Sequence, residues 1–92
     1  MAVIYAIRPR CRARSECYVG STMRNVQLRS REHVRASRAF PNRAVYRFVR
    51  AHGGWDRVRF VVMEDMPSAP RWKVLARERY YIRKHGTLNS IV

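Results

Sequence analysis

Residues 3 to 20, VIYAIRPRCRARSECYVG, contain two strand signals and a basic loop, and the rest of the fold can be worked out from them. Apolar, β-branched and aromatic residues fill the run from Ala2 to Ile7, and a second short run extends from Cys17 to Val19. Between the runs lies a polar segment with Pro9 and four arginines. Strand-forming residues on both sides of a polar break are typical of a β-hairpin. The beginning of the chain is therefore predicted to form two antiparallel strands.

Each predicted strand carries one tyrosine, Tyr5 in the first and Tyr18 in the second. A phenol in a strand is commonly a packing residue, and packing alone would account for both positions. The small residues Gly20, Ser21 and Thr22 follow the second strand, and they allow a phosphate group to approach the backbone before a helix begins. The two tyrosines are therefore candidates either for core packing or for phosphate chemistry.

Net charge is the most informative bulk property of the chain. Its 92 residues, enough for one domain with one core, include 20 lysines and arginines against 6 acidic residues, so the net charge is +14. All of the cations but Lys73 and Lys84 are arginine, which forms bidentate contacts with phosphate and stacks on bases. The composition indicates a nucleic-acid partner, and it also fits a structural protein of the ribosomal type.

Membrane, secretory and zinc-binding classes are disfavoured by the sequence. No apolar run approaches the roughly 20 residues of a membrane helix, and no secretory signal precedes the first strand. Cys11 and Cys17 are two thiols without matching partners, which does not make a zinc site. We expect an intracellular protein that keeps both cysteines reduced and makes no membrane contact.

A helix is predicted to follow the hairpin, with Asn25 as its N-cap and its end at about Ser37. Along this helix Arg29 and His33 share one face with apolar residues at steps of three and four. Because burying an unpaired charge costs several kcal/mol, that face is expected to open into a polar cleft. The alternative is that both are ordinary surface residues.

A second helix and a third strand are predicted in the middle of the chain. Asn42 is a candidate N-cap for a helix over Arg43 to Ala51, and Arg57 to Met63 has the apolar continuity of a strand covered on at least one face. Glu64 and Asp65, the only acidic pair, are expected to lie in a solvated loop after that strand and not in a metal site.

The last predicted helix carries one acidic residue among apolar ones. Ser68 is its candidate N-cap, and Leu75, Glu78 and Ile82 recur at steps of three and four. A carboxylate in such a stripe is costly unless a cation or several hydrogen-bond donors meet it. The aromatic residues of this helix, Trp72 among them, are predicted to pack or to line the rim of a site.

Four pieces of the sequence resemble the signature of the GIY-YIG nucleases. Val3-Ile4-Tyr5 and Tyr18-Val19-Gly20 look like its two halves, and YVGSTMRNVQLRSREH, which ends at His33, is similar to the run Y-[IV]-G-S-T-x3-L-x2-R-x3-H. Near the other end, ERYYI from Glu78, followed by Leu88-Asn89, looks like the element E-x-x-[WY]-I…L-N. The four pieces occur in the family's order and together span nearly the whole chain.

Two positions depart from the family pattern. Val3 stands at the first position of the GIY triplet, where a strand accommodates valine well, and Val26 replaces the leucine. The loop between the tyrosines is also longer and more basic than is usual.

The resemblance implies a role for each candidate catalytic residue. Glu78 would bind one divalent cation, Mg²⁺ or Mn²⁺, and Arg29 would bind the scissile phosphate. Tyr5 would act as the general base or help to form it, with its pKa lowered by nearby cations. Tyr18 would position water or phosphate, and His33 would assist proton transfer. Asn89 would support the site.

The resemblance also implies a fold and a substrate. The fold is an α/β (α+β) sandwich, a three-stranded antiparallel sheet flanked by helices in the order β-β-α-α-β-α, and residues 1–92 would form one such domain. The substrate would be duplex or branched DNA, and a homodimer or a targeting partner protein would supply further selectivity. The positions expected to contact DNA are Arg8, Arg10, Arg12, Arg14, Gly20, Ser21, Thr22, Arg24 and Arg31.

Two other functions remain open at this point. A non-catalytic basic module of the same fold would bind nucleic acid without needing a metal ion, and a small ribosome-associated protein would prefer structured RNA. Nicking of supercoiled plasmid with and without Mg²⁺ or Mn²⁺ separates the three possibilities.

Overall fold

A computed structural model describes residues 2–10 and 16–89 of the chain. The strands are β1 (Val3–Pro9), β2 (Tyr18–Thr22) and β3 (Val58–Asp65), and the helices are α1 (Val26–Ala39), α2 (Ala44–Ala51) and α3 (Arg71–His85), with a 3-10 turn over Trp55–Arg57 before β3. The three strands form one sheet. The predicted α/β class and the order β-β-α-α-β-α are both confirmed.

The central strand of the sheet is β1, which pairs antiparallel with β2 on one side and with β3 on the other. Tyr5, in the middle of β1, lies opposite Gly20 of β2 and Val62 of β3. The register shifts by one residue next to this position, because Met63 is an extra residue of β3 between the partners of Ile4 and Tyr5. Such a bulge bends and twists the strand locally.

The sheet has a separate apolar core on each face. Ile4, Ala6 and Val19 pack with Val74 of α3 on one face, which we call the α3 face. Tyr5, Ile7, Val45, Phe48, Val49 and Val58 pack together on the other, the α2 face. Because successive side chains of a strand point to opposite faces, neighbours in β1 and β2 serve different cores.

Two strands of the structure extend further than the sequence predicts. Gly20, Ser21 and Thr22 belong to β2 and pair with β1, so they do not form a loop before the helix. Glu64 and Asp65 likewise belong to β3, and the prediction of a solvated loop is wrong. In both cases ladder hydrogen bonds to β1 outweigh low local strand propensity.

Helix starts were predicted with mixed success. The Asn25 side chain caps α1 by accepting a hydrogen bond from Leu28 N at 2.8 Å, as expected. In α2 the N-cap is Arg43 and not Asn42, and no side chain caps the helix. In α3 the N-cap is Pro70 and not Ser68, because a residue that precedes a proline is pushed out of the helical conformation.

The buried stripe of α3 differs from the predicted one by one position. Val74 is buried, whereas Leu75 is 37% exposed and lies outside the buried stripe. Trp72 is 71% exposed, so it is not a core packing residue. After α3 the chain crosses to β2, where Thr87 N and Leu88 N both donate to Cys17 O. Leu88 then packs in the core of the α2 face, while its predicted partner Ile91 lies outside the described residues.

Within residues 2–10 and 16–89, none of the helices has the length and apolar character needed to cross a bilayer.

Candidate active site

A hydrogen-bonded network of three side chains forms the centre of the candidate site. Tyr5 Oη and His33 Nε2 are 2.5 Å apart, and Arg29 Nε donates to the same phenol oxygen at 3.1 Å. Tyr5 comes from the middle of β1, and Arg29 and His33 come from successive turns of α1. The spacing of four residues in α1 therefore places both side chains against one phenol, as the shared helix face predicts.

Gly20 makes room for this network. A Cβ atom at position 20 would lie 2.6 Å from Tyr5 Oη and 3.1 Å from the ring of Tyr18, closer than atoms can approach without moving. Because Gly20 pairs directly with Tyr5 across the sheet, the phenol lies over the backbone of β2. The glycine in the second half of the signature is therefore required to leave room for the Tyr5 phenol. That a phosphate approaches the backbone at Gly20 stays a prediction.

Apart from the phenols and the thiol of the core, His33 is the only buried polar side chain that the structure describes. Its Nδ1 lies 3.0 Å from Tyr46 Oη, so the imidazole is hydrogen-bonded on both sides. Burial, followed by the positive charges of Arg29 and Arg43, lowers the pKa of His33 to about 4. The ring is therefore neutral at physiological pH, with one nitrogen as donor and the other as acceptor.

This buried histidine should make stability depend on pH. The pKa of His33 is lower in the folded protein, so its contribution is fully present above the ordinary value of 6.5 and is lost as pH falls toward about 4. This difference between the pKa of His33 in the unfolded and in the folded protein corresponds to about 3 kcal/mol in the free energy of unfolding. Urea titrations of the wild type and of His33→Gln measure it. The difference between the two proteins should shrink by that amount between about pH 7 and about pH 4, and a constant difference would contradict the assignment.

The two signature tyrosines have raised pKa values, and not the lowered value expected for a base. Burial is the main cause at both phenols. Arg29 acts in the predicted direction and lowers the pKa of Tyr5 and Tyr18, but burial outweighs it. Both phenols are thus protonated in the free protein.

A cavity of about 330 Å³ opens beside this network. That volume lies within the roughly 300–1,000 Å³ of small-molecule sites. Tyr18, Arg29, His33 and Asn89 line it together with five residues that the sequence analysis left out of the site, Arg43, Ala44, Val45, Tyr46 and Leu88. The two guanidiniums in its lining make the cavity suitable for an anion.

Arg43 is the functional candidate that sequence reasoning missed. It occupies the N-cap of α2, its guanidinium lies 4.4 Å above the Phe40 ring, and it borders the cavity next to Arg29. Nothing in the local sequence distinguishes it, since the chain has 18 arginines once its two lysines are subtracted from 20 cations. Only the fold shows which arginine lies beside the tyrosines.

Glu78 lies on the other face of the sheet from the tyrosines. Ser21 Oγ donates to Glu78 Oε1 at 2.6 Å, and Ser21 pairs with Ile4, whose side chain is in the core of the α3 face. The carboxylate nevertheless acts across the edge strand β2, because its charge adds to the rise that burial causes in the pKa of Tyr5 and Tyr18. The two halves of the candidate site therefore lie on either side of β2.

The residues around Glu78 fit a weakly held, water-rich cation. Among the described residues there is no group of three or more histidine, cysteine or acidic side chains that could enclose a metal ion. Mg²⁺ does not need such a group, because it keeps most of its waters and takes one or two carboxylates with substrate oxygens. Glu78, whose carboxylate accepts a hydrogen bond from Ser21, is the candidate ligand for such an ion.

Asn89 lies at the edge of the cavity and holds the backbone of β2. Its Oδ1 accepts from Val19 N at 2.9 Å, and its Nδ2 donates to Val19 O at 2.7 Å. The amide thus imitates a neighbouring strand along the free edge of β2, which otherwise would leave these backbone groups unpaired. Although Asn89 borders the cavity, both of its amide atoms are engaged in positioning β2.

The residues predicted to contact DNA are dispersed. Arg10 and Arg31 are exposed and Arg8 is half-buried, while Arg24 is exposed and pairs with Glu32. Arg10 Nε also donates to Asp56 O at 2.7 Å. Gly20 is buried, Ser21 and Thr22 are half-buried in β2, and Arg12 and Arg14 lie outside the described residues.

Two phenols, two guanidiniums and a carboxylate lie close to one small antiparallel sheet, and the two cations suit an anionic ligand. The chain matches the model of the GIY-YIG catalytic domain over residues 1–91, and it belongs to that family of nucleases. Members of the family generally act on DNA and use divalent metal ions.

The chain is also similar to a viral protein, "Uncharacterized protein 019R" of Invertebrate iridescent virus 6. The two are 31% identical over 88 residues. The match covers 96% of this chain but 30% of the viral protein, so the chain spans less than a third of that relative. No solved structure matches the chain.

Proposed function

We propose that this protein is a DNA endonuclease that hydrolyses phosphodiester bonds with one Glu78-bound Mg²⁺ or Mn²⁺ ion. The observation that carries the proposal is the contact of 2.5 Å between Tyr5 Oη and His33 Nε2, with Arg29 Nε on the same oxygen. A phenol held between a neutral imidazole and a guanidinium has a proton acceptor on one side and a cation on the other. Packing alone requires neither of them.

The proposed reaction begins with the proton of Tyr5. His33 Nε2, which is hydrogen-bonded to the phenol, would take this proton, and the adjacent Arg29 would stabilise the negative charge that forms on the phenol oxygen. Because burial and the charges of Arg29 and Arg43 lower the pKa of His33, a bound phosphate must offset those charges before the imidazole can take the proton. The phenol oxygen then takes a proton from the attacking water, whose oxygen forms the new bond to phosphorus. His33 Nδ1 remains hydrogen-bonded to Tyr46, which fixes the ring during the transfer.

Phosphate binding is assigned to the cavity beside the network. Arg29 and Arg43 would both face a phosphate placed there, and Tyr18 would hold it or the attacking water. Glu78 would hold the ion, and the ion would neutralise charge on the phosphate and on the leaving oxygen. Asn89 would contribute by keeping β2, and with it Tyr18, in place.

The burial of Tyr5 sets a condition on this proposal. The residue has no exposed surface, so the packing around its phenol must open for water to reach it when DNA binds. Tyr18 is half-buried and already borders the cavity. Substituting each phenol in turn decides whether Tyr5 or Tyr18 takes the proton from the attacking water.

The substrate is proposed to be duplex or branched DNA in an intracellular setting. The net charge of +14 favours binding to a polyanion, and affinity should fall by about one log unit per log unit of salt for each phosphate contacted in a duplex. A second copy of the chain or a partner protein would add selectivity.

Nicking of supercoiled plasmid tests the proposed activity. The purified protein should convert the plasmid to the open-circular form when Mg²⁺ or Mn²⁺ is present and should stop when EDTA is added. Binding to the plasmid without nicking in either metal would instead favour a non-catalytic module of the same fold. Preference for structured RNA, with no effect of Glu78 substitution, would favour a ribosome-associated protein.

Arg43 provides a second prediction about the cavity. Arg43→Ala should weaken DNA binding roughly tenfold or more, because a hydrogen bond to a charged group is worth about 1.5–3 kcal/mol. Arg47→Ala is the matched control, since Arg47 is an exposed arginine one turn further along α2 and does not border the cavity. Fluorescence anisotropy with labelled duplex in EDTA measures both. Equal losses in the two variants would mean that Arg43 contributes only bulk charge.

A further inference from the structure

The outward side of α3 carries a stripe of residues that neither the core nor the active site uses. Trp72, Ala76, Arg79 and Arg83 follow one another at steps of four, three and four, so they lie along one line of the helix; we call them the outer stripe. All four are exposed, and Trp72 retains 71% of its surface. The buried side chains of α3 lie on its other side, against the sheet.

Cations dominate the surroundings of the outer stripe. Ala76, Arg79, Tyr80, Arg83 and Lys84 line a shallow groove of about 420 Å³, in which the small alanine leaves room between longer side chains. Of the acidic side chains on the α3 face, Glu64 pairs with Arg77 and Glu78 accepts from Ser21. Among the described residues, no salt bridge engages Arg79 or Arg83.

An exposed indole on the same line of a helix as two exposed arginines has few suitable partners. A second copy of the chain that packed the same stripe against it would bring like charges together, which costs free energy. A nucleic-acid strand suits both features, because guanidiniums bind phosphates and an indole stacks on a base. Stacking of this kind needs a base that is not already paired and stacked in a duplex.

We propose that the outer stripe of α3 binds a single-stranded segment of nucleic acid, with Trp72 stacked on a base and Arg79 and Arg83 on the phosphates. The stripe runs over 12 residues, from Trp72 to Arg83, or about 16 Å of helix, which is enough for a few nucleotides of one strand. It lies on the outside of α3, away from the Tyr5 network on the α2 face. This binding does not depend on the nuclease reaction.

Tryptophan fluorescence tests the proposal directly. The protein has two tryptophans, and Trp55 is half-buried and stacked on Phe60 with ring centroids 6.2 Å apart. The experiment titrates the full chain in EDTA with oligothymidylate of about 15 nucleotides, which contains no duplex. Quenching is expected in the wild type and should disappear in Trp72→Phe, while Trp72→Ala should bind roughly tenfold more weakly.

Charge-matched variants separate the outer stripe from the overall charge. Arg79→Ala/Arg83→Ala should lower the slope of log affinity against log salt by roughly 1.4, since each phosphate contributes about 0.7 for a single strand. Arg35→Ala/Arg38→Ala removes two exposed arginines of α1 and should leave the quenching in place. The proposal is overturned if Trp72 is not quenched, if both double variants behave alike, or if sedimentation shows self-association that Trp72→Ala abolishes. Plasmid nicking is scored separately, so loss of one function does not imply loss of the other.

Discussion

Replacing Glu78 with glutamine should reduce metal-dependent nicking of plasmid about 10³-fold or more, with little change in DNA affinity measured in EDTA. The expected size follows from the several kcal/mol that a bound cation supplies to a transition state of this kind. Glutamine keeps the shape of the side chain and its hydrogen bond with Ser21, so the fold should be retained.

Glu64→Gln is the matched control for this substitution. Glu64 is a half-buried carboxylate on the same α3 face, and hydrogen bonds from Arg77 and Tyr81 lower its pKa. Its loss should affect local packing and leave nicking within a fewfold of the wild type. If Glu78→Gln cleaves as well as Glu64→Gln, the assignment of Glu78 to the metal ion is wrong.

Tyr5→Phe should lower the nicking rate by roughly 10²–10⁴, the usual contribution of a general base. Tyr18→Phe should cost less, about 10- to 100-fold, if its phenol only orients phosphate or water. The measurement is single-turnover cleavage at saturating DNA. The opposite ranking of the two variants would make Tyr18, which already borders the cavity, the phenol that takes the proton.

Tyr46→Phe controls for loss of stability in the Tyr5 variant. Tyr5→Phe leaves one nitrogen of His33 without its partner in a buried site, which costs about 1–3 kcal/mol of folding free energy. Tyr46→Phe does the same on the other ring nitrogen. Comparable unfolding midpoints with a much slower Tyr5→Phe enzyme would separate chemistry from stability.

The sequence predicts the elements of this fold well where apolar periodicity is strong. The β1 run, the apolar side of α2 and the Asn25 cap of α1 all follow from local patterns. Prediction failed where pairing with β1 decided the structure. Gly20 has low strand propensity, and the segment from Gly20 to Thr22 forms the end of β2 because β1 supplies its hydrogen-bond partners.

The candidate site could be predicted only in part for the same reason. Spacing in α1 brings Arg29 and His33 to one face, and strand alternation brings Tyr5 to it. Spacing cannot show that Glu78 approaches from the other face of the sheet, or that Arg43 borders the cavity, because both depend on how distant elements pack. The pKa values of the tyrosines are set by burial, which a motif does not specify.

The most direct test of the account is a crystal structure of the Tyr5→Phe variant with duplex DNA and Mn²⁺, with the metal located by its anomalous scattering. If Glu78 holds the ion, one Mn²⁺ should be found on a Glu78 oxygen, with the scissile phosphate near both the ion and the Arg29 guanidinium. A manganese ion away from Glu78, or a phosphate backbone that bypasses the cavity between Tyr18 and Arg43, would contradict it.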